Sequence, residues 1–268
     1  MNLSRRWTLQ GVDLDPFARA LAALAPAPYM ADLDLGGGRR LVSASPERFL
    51  RLAPGGEVET WPIKGTRPRD ADHAVDRRLA RELLASEKEA AELAMIVDLA
   101  RSDLGRVAVP GSVVVPAARR LQTWPAVHHT VGVVAASLAP GRGWDDLVRA
   151  TFPPGSVTGA PKVRAQEVIE ALEPVRRGPY CGAFGWVGWD GALDLAVAIR
   201  IAYATGEGGP VHVHAGGAVT LPSDPAAEER ETRAKAAALL RAAGFPGGGA
   251  SRGEARRRVS ARPGRAQG

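Results

Sequence analysis

Between residues 28 and 63 the apolar positions alternate or gather in short runs broken by turn formers. Residues 29–35 alternate, Gly36 to Gly38 supply a turn, and 41–52 form two short runs hinged at Pro46. A Gly55-Gly56 turn leads into 58–63, so this stretch predicts successive antiparallel strands. The period then lengthens. Residues 71–84 read as an amphipathic helix, and Ser86 with Glu89 three residues on has the capping pattern that opens a second. That helix should run to about Leu104 and stop at Gly105. Strand signals return at 112–115 and 127–137, and short helices follow near 144–151 and 161–172, the latter with proline in its first turn. Three apolar, glycine-punctuated strands come next at 180–189, 193–204 and 211–219. Ser223-Asp224-Pro225 caps a last helix over 226–243. The chain shows no internal repeat. Antiparallel groups of strands with helices between and outside predict an α/β (α+β) fold of layered antiparallel sheets with outer helices, rather than an array of βαβ units.

Composition narrows the class. The 268 residues are 45% hydrophobic and 24% charged, which is globular and not low-complexity. No apolar run approaches the roughly 18 residues a membrane span needs, and the polar start MNLSRRWTLQ does not read as a signal peptide. The single Cys181 cannot close an internal disulfide and suits a reducing compartment, so a cytoplasmic location is expected. The net charge of +6 invites a nucleic-acid reading until it is located. Six arginines against one glutamate lie in 246–268, a segment too poor in apolar residues to fold. The expected organisation is therefore a catalytic body over 1–245 and a disordered basic tail over 246–268. The body is close to neutral, which argues against nucleic-acid binding.

Four groups of residues could carry chemistry. Glu89 and Glu92 share a helix face at i,i+3 spacing, and Glu228 and Glu231 repeat it on the last helix. Each pair alone reads as a solvated face; together they could hold a hard cation such as Mg²⁺, which favours one or two carboxylates plus substrate oxygens. His212 and His214 lie on one strand face without a third ligand. The segment PGSVTGAPK (154–162) runs a loop into a helix start, where backbone N–H groups and Lys162 could hold an anion, or simply cap the helix. Lysine is scarce: Lys64, Lys88, Lys162 and Lys235 are the only four among 35 basic residues. Lys64 ends an apolar run before Gly65, where desolvation could free its amine as a nucleophile or base; an ordinary exposed strand-end lysine is the other reading.

Longer motifs carry a resemblance. SASPERF (43–49), PIKGTRPR (62–69), MIVDLARSDLGRV (95–107), PAVHH (125–129), FPPGSVTGAPKVRAQEVIEALEP (152–174), AIR (198–200) and AEERETRAKA (227–236) occur in that order. They resemble the chorismate-utilising enzymes, from Asn2 to about Gly244. PIKGT, where anthranilate synthases usually read PIAGT, is most similar to aminodeoxychorismate synthase component I. Members of that kind carry a long N-terminal region, and the resemblance implies that the sequence here starts where their catalytic segment starts.

The resemblance implies roles. Glu92 and Glu231 match the Mg²⁺ carboxylates, supported by Glu89 and Glu228. Glu47 matches the general acid for the departing C4 hydroxyl, and Lys64 the nucleophile at ring carbon C2. His129 and Thr66 match groups that orient the ring. Arg200, Lys235, Gly216 and Gly217 match the carboxylate-binding set, with Thr158 among the substrate contacts. Trp186 stands where the family has a tyrosine, so an indole donor replaces a phenol; Ser102, Leu93 and Ala218 also depart from the pattern. The implied reaction converts chorismate and ammonia to 4-amino-4-deoxychorismate on the way to p-aminobenzoate and folate. A glutamine amidotransferase subunit is the implied partner. Anthranilate synthase component I, or a non-catalytic chorismate-binding homologue, are the alternatives.

Overall fold

Every third or fourth residue of the segment after Asp13 is apolar, and Leu14, Phe17 and Leu21 become buried on one helix face. In the computed structural model, which describes residues 1–221 and 223–245, that helix is α1 (Leu14–Leu24), set between β1 (Asn2–Leu9) and β2 (Tyr29–Asp34). The chain continues through β3 (Arg39–Ser45), β4 (Arg48–Leu52), β5 (Glu57–Thr60), β6 (Ile63–Pro68), α2 (His73–Ala85) and α3 (Glu87–Gly105). Next come β7 (Val114–Thr123), β8 (Val127–Ser137), α4 (Trp144–Thr151) and α5 (Lys162–Leu172). It ends in β9 (Ala183–Val187), β10 (Leu193–Val197), β11 (Ile201–Thr205), β12 (Val211–Ala218) and α6 (Pro225–Ala242). The basic segment 246–268 lies outside the described residues. No helix among the described residues is long and apolar enough to cross a membrane.

The chain forms two compact units, each with one antiparallel sheet. Residues 1–45, 165–180 and the described residues of 198–245 make the first, whose strands run β1-β12-β11-β3-β2. Its core lies where Leu9, Val42, Ala44, Ala202, Val211 and Val213 meet α1 and Leu239 of α6. Residues 46–164 and 181–197 make the second, with strand order β6-β8-β5-β4-β10-β9 and β7 on the free side of β8. Helix α3 packs on this sheet through Leu93, Ile96 and Val97. Its N-terminus is capped as expected: Ser86 Oγ accepts from the Glu89 amide at 3.4 Å.

The structure departs from the sequence expectation in three places. No element was expected before residue 28, yet β1 and α1 lie there. β7 is ten residues long, because the alternation of exposed and half-buried positions runs on through Arg119 and Arg120 instead of ending before them. The apolar stretch 193–204 is two strands, β10 in one sheet and β11 in the other, divided where Arg200 takes a left-handed backbone (φ 52°).

On the β12 face of the first unit, His214 is 1% exposed and stacks on Tyr180 (5.0 Å between ring centroids) and Tyr203 (5.9 Å). Its Nε2 is 3.3 Å from Tyr203 Oη, and its Nδ1 has no hydrogen-bond partner among the described residues. Burial first, then the nearby positive charge of Arg6, holds the His214 pKa down at about 3. An unfolded chain takes up a proton near the ordinary value of 6.5; the native one does not until about 3. Native stability should therefore fall as pH drops below 6.5, by about 1.4 kcal/mol per pH unit from this group. Urea unfolding between pH 7 and pH 5 should show that slope, and His214→Phe should flatten it. An unchanged slope in the variant would assign the acid sensitivity to other groups.

Candidate active site

The segment PIKGTRPR becomes β6, and nearly every residue of it has a definite partner. β6 and β8 pair antiparallel with Lys64 opposite Thr130 and Thr66 opposite His129, so Gly65 is an extra residue in the ladder. Gly65 is left-handed (φ 84°), as the first residue of this class of bulge requires. A Cβ there would also stand 2.8 Å from Leu83 Cδ1 and 3.0 Å from Glu89 Cδ. Beyond the bulge, Thr66 Oγ1 is 2.9 Å from Nδ1 of the buried His129. Before it, Lys64 Nζ donates to the Ser156 carbonyl at 3.1 Å, and the Thr130 hydroxyl donates to the Lys64 carbonyl. Arg67 donates to Glu89 Oε1 at 3.0 Å. Arg69 forks onto Asp76 at 2.8 and 3.0 Å, holding that carboxyl well below the usual range. Asp76 Oδ1 is also 2.9 Å from Nε2 of the buried His128. These ion pairs fix the β6 backbone at its polar end.

Glu47 is 4% exposed and lines a pocket of about 390 Å³ counted to its open mouth. Apolar walls come from Phe49, Leu50, Ile96 and Leu104, and polar groups from Asp103 and Ser156. Ser156 sits in a 3-10 turn, Gly155–Val157, inside the loop between α4 and α5. Thr158 is buried there, and its hydroxyl donates to the Pro154 carbonyl at 3.0 Å. The anion role considered for Lys162 is not what the structure shows. Its amine is turned inward, 2.5 Å from Asp103 Oδ2 and 2.7 Å from the Thr151 carbonyl, because Asp103 is a buried charge that requires a counterion.

Glu89 and Glu92 lie on α3 as the spacing predicts, with side chains 18% and 14% exposed. Glu89 Oε2 is buried with no hydrogen-bond partner among the described residues, while Lys88 is 3.8 Å from Glu92 Oε1. A buried carboxylate oxygen without a donor suits a cation, so this pair fits Mg²⁺ chemically. Among the described residues no group of three or more His, Cys, Asp and Glu side chains is gathered to hold a metal ion.

The remaining expected residues belong to the first unit, Trp186 excepted. Glu228 accepts from Ser223 Oγ at 2.8 Å, and its Oε2 would lie 3.1 Å from a Cβ added at Gly217. Lys235 Nζ is 2.6 Å from Glu231 Oε1 and donates to the Gly216 carbonyl at 3.1 Å. Arg200 follows buried Ala198 and has no ion-pair partner among the described residues. Burial lowers its pKa, the condition of a guanidinium whose best partner would be an added anion. Trp186, in the second unit, is 57% exposed on the edge strand β9, opposite Asp194. Sequence reasoning missed Arg67, Arg69, Asp76 and Asp103, although all four stand in or near the quoted motifs.

The chain matches the profile of the chorismate binding enzyme family over residues 1–241. It is 50% identical over 224 residues to anthranilate synthase component 1 of Streptomyces coelicolor, covering 84% of this chain and 43% of that protein. It is 45% identical over 242 residues to aminodeoxychorismate synthase component 1 of Salmonella typhimurium, covering 90% of this chain and 52% of that one. The crystal structure of anthranilate synthase component I from Streptococcus pneumoniae superposes with a TM-score of 0.78 at 35% identity, covering 89% of this chain and 52% of that one. The chain thus spans about half the length of the relatives it matches.

Proposed function

The chain belongs to the chorismate binding enzyme family, and from that premise we propose that it catalyses the amine transfer of an aminodeoxychorismate synthase component I. Chorismate and ammonia would give 4-amino-4-deoxychorismate and water, a step toward p-aminobenzoate and folate. The observation that carries this reading is the lysine of PIKGT, its amine held 3.1 Å from the Ser156 carbonyl. Ser156 lines the same pocket as Glu47.

Lys64 would add through its neutral amine at ring carbon C2 while the C4 hydroxyl leaves. Glu47 would give that hydroxyl its proton, so that it departs as water. Ammonia would then add at C4, the ring double bond would shift back, and the lysine amine would be expelled from C2 and the surplus proton returned to Glu47. Thr66 and His129, bonded to each other, would present one fixed polar face to the ring. Arg200 and Lys235, with the Gly216 and Gly217 backbone, would receive carboxylates, and Thr158 and Trp186 would add substrate contacts. Bound Mg²⁺ would neutralise the ring carboxylate and draw electron density from the ring. Glu89 and Glu92 would hold it, together with Glu228 and Glu231.

The 50% identity to an anthranilate synthase component supports a second reading, in which ammonia instead adds directly at C2 as the C4 hydroxyl leaves as water, and the enolpyruvyl group is then lost as pyruvate. Product analysis separates the two. With ammonium salts and chorismate the chain should form a product that keeps its enolpyruvyl group; fluorescent anthranilate would establish the second reading instead. Glutamine should not replace ammonium without an amidotransferase subunit, since Cys181 is buried in a synthase unit, away from any surface a glutaminase would need. Glutamine-dependent product from the purified chain alone would refute the need for that partner.

A further inference from the structure

The buried pair Lys162–Asp103 has no part in the reaction as described, yet it lies directly behind the loop that meets Lys64. We propose that Lys162 and Asp103 are positioning residues, whose ion pair keeps the Ser156 carbonyl in place against the Lys64 amine. The proposal rests on the reading of Lys64 as the attacking amine.

Three elements converge on the Asp103 carboxylate. Its Oδ2 takes Lys162 Nζ at 2.5 Å from the start of α5, and its Oδ1 takes Arg106 at 2.8 Å from the end of α3. Both cations also bind carbonyls at the end of α4: Lys162 that of Thr151 at 2.7 Å, and Arg106 that of Ala150. The side chains of Lys162 and Asp103 are 12% and 10% exposed, so solvent does little to screen the pair. The loop 152–161 is therefore anchored at both ends by one buried charge. Within it, the Gly159 amide donates to the Gly155 carbonyl at 3.1 Å, which together with the Thr158 hydroxyl bond closes the turn around Ser156. The Ser156 carbonyl is thus fixed although the loop belongs to no sheet.

A lysine needs such a fixed point. Its amine ends a flexible four-carbon stem, and a displacement of about 1 Å at a reacting atom can cost on the order of a hundredfold in rate. Burying an ion pair is a poor way to gain stability, since both charges lose their hydration. Here the pair does something a hydrophobic replacement could not: Lys162 binds the Thr151 carbonyl at the loop's entry, and Asp103 holds Lys162 at its exit together with Arg106, which binds the Ala150 carbonyl.

Lys162→Met removes the cation, and Asp103→Asn, nearly isosteric, removes the anion if the first variant does not fold. Each should be compared with the parent by thermal melting, by kcat and KM for chorismate with saturating ammonium, and by trace acetylation. Only four lysines compete for the label, so the ratio of Lys64 to Lys88 acetylation can be read by mass spectrometry. The expected result is a kcat about 10- to 100-fold lower with KM changed less than about threefold, and a Lys64 to Lys88 ratio raised by about threefold or more. Folded variants with both kcat and labelling within twofold of the parent would overturn the proposal. A raised ratio with undiminished kcat would keep the positioning and remove Lys64 from the chemistry, which separates failure of this inference from failure of the reading beneath it.

Discussion

Lys64→Ala should reduce chorismate consumption, measured with excess ammonium, by about three powers of ten or more while leaving the fold intact. The bond to the Ser156 carbonyl would be lost, and the β6 ladder on either side is backbone. Lys64→Arg should be as damaging, because a guanidinium stays protonated and the step needs a neutral amine. For the same reason the parent rate should rise with pH as the lysine loses its proton, and this limb should vanish in both variants. High ammonium could recover part of the alanine variant's rate by attacking C4 directly. A covalent chorismate adduct on the peptide containing Lys64, trapped and found by mass spectrometry, would be the positive sign. If Lys64→Arg turned over near the parent rate, the nucleophile would be wrongly assigned and direct amination of the anthranilate synthase kind would be the better account.

Removal of divalent metal should have an effect of similar size. Excess EDTA should abolish turnover and Mg²⁺ should restore it, because Arg67 and Lys88 are paired with Glu89 and Glu92 and leave no surplus positive charge for the ring carboxylate. Glu92→Ala should lose about a hundredfold or more. Mg²⁺ should also raise the melting temperature of the parent with chorismate present, and not that of the variant. Full turnover in EDTA, or by Glu92→Ala, would dismiss the metal assignment. Arg67 supplies a counterion to Glu89 through Oε1, while Glu89 Oε2 has no hydrogen-bond partner among the described residues.

Much of the second unit was legible because its signals are local. The Ser86 cap and the 3.6-residue period set α3, and with it the spacing of Glu89 and Glu92, without reference to anything distant. PIKGT identified the strand end and its lysine. What the sequence did not carry was pairing. The stretch 193–204 is equally apolar on both sides of Arg200, and apolar character alone does not say which sheet a residue joins. Lys162 looked available because a lysine at a helix start commonly faces an anion; its partner Asp103 is 59 positions away in the chain. The reverse holds for Trp186. Its departure from the family residue was visible in sequence, but its 57% exposure on an edge strand was not.

The extra residue at Gly65 acts as a phase shift in the strand. In a regular strand every second side chain returns to the same side, so residues 64 and 66 would point alike. Opposite Thr130 and His129, which are neighbours and point apart, Lys64 and Thr66 instead inherit different directions. One glycine thereby divides the motif into two readings of the same strand, a lysine aimed at one set of atoms and a threonine aimed at another. Spacing in PIKGT is therefore information in itself. Were Gly65 paired as an ordinary ladder residue, Lys64 and Thr66 would point to one side, with every side chain chemically unchanged.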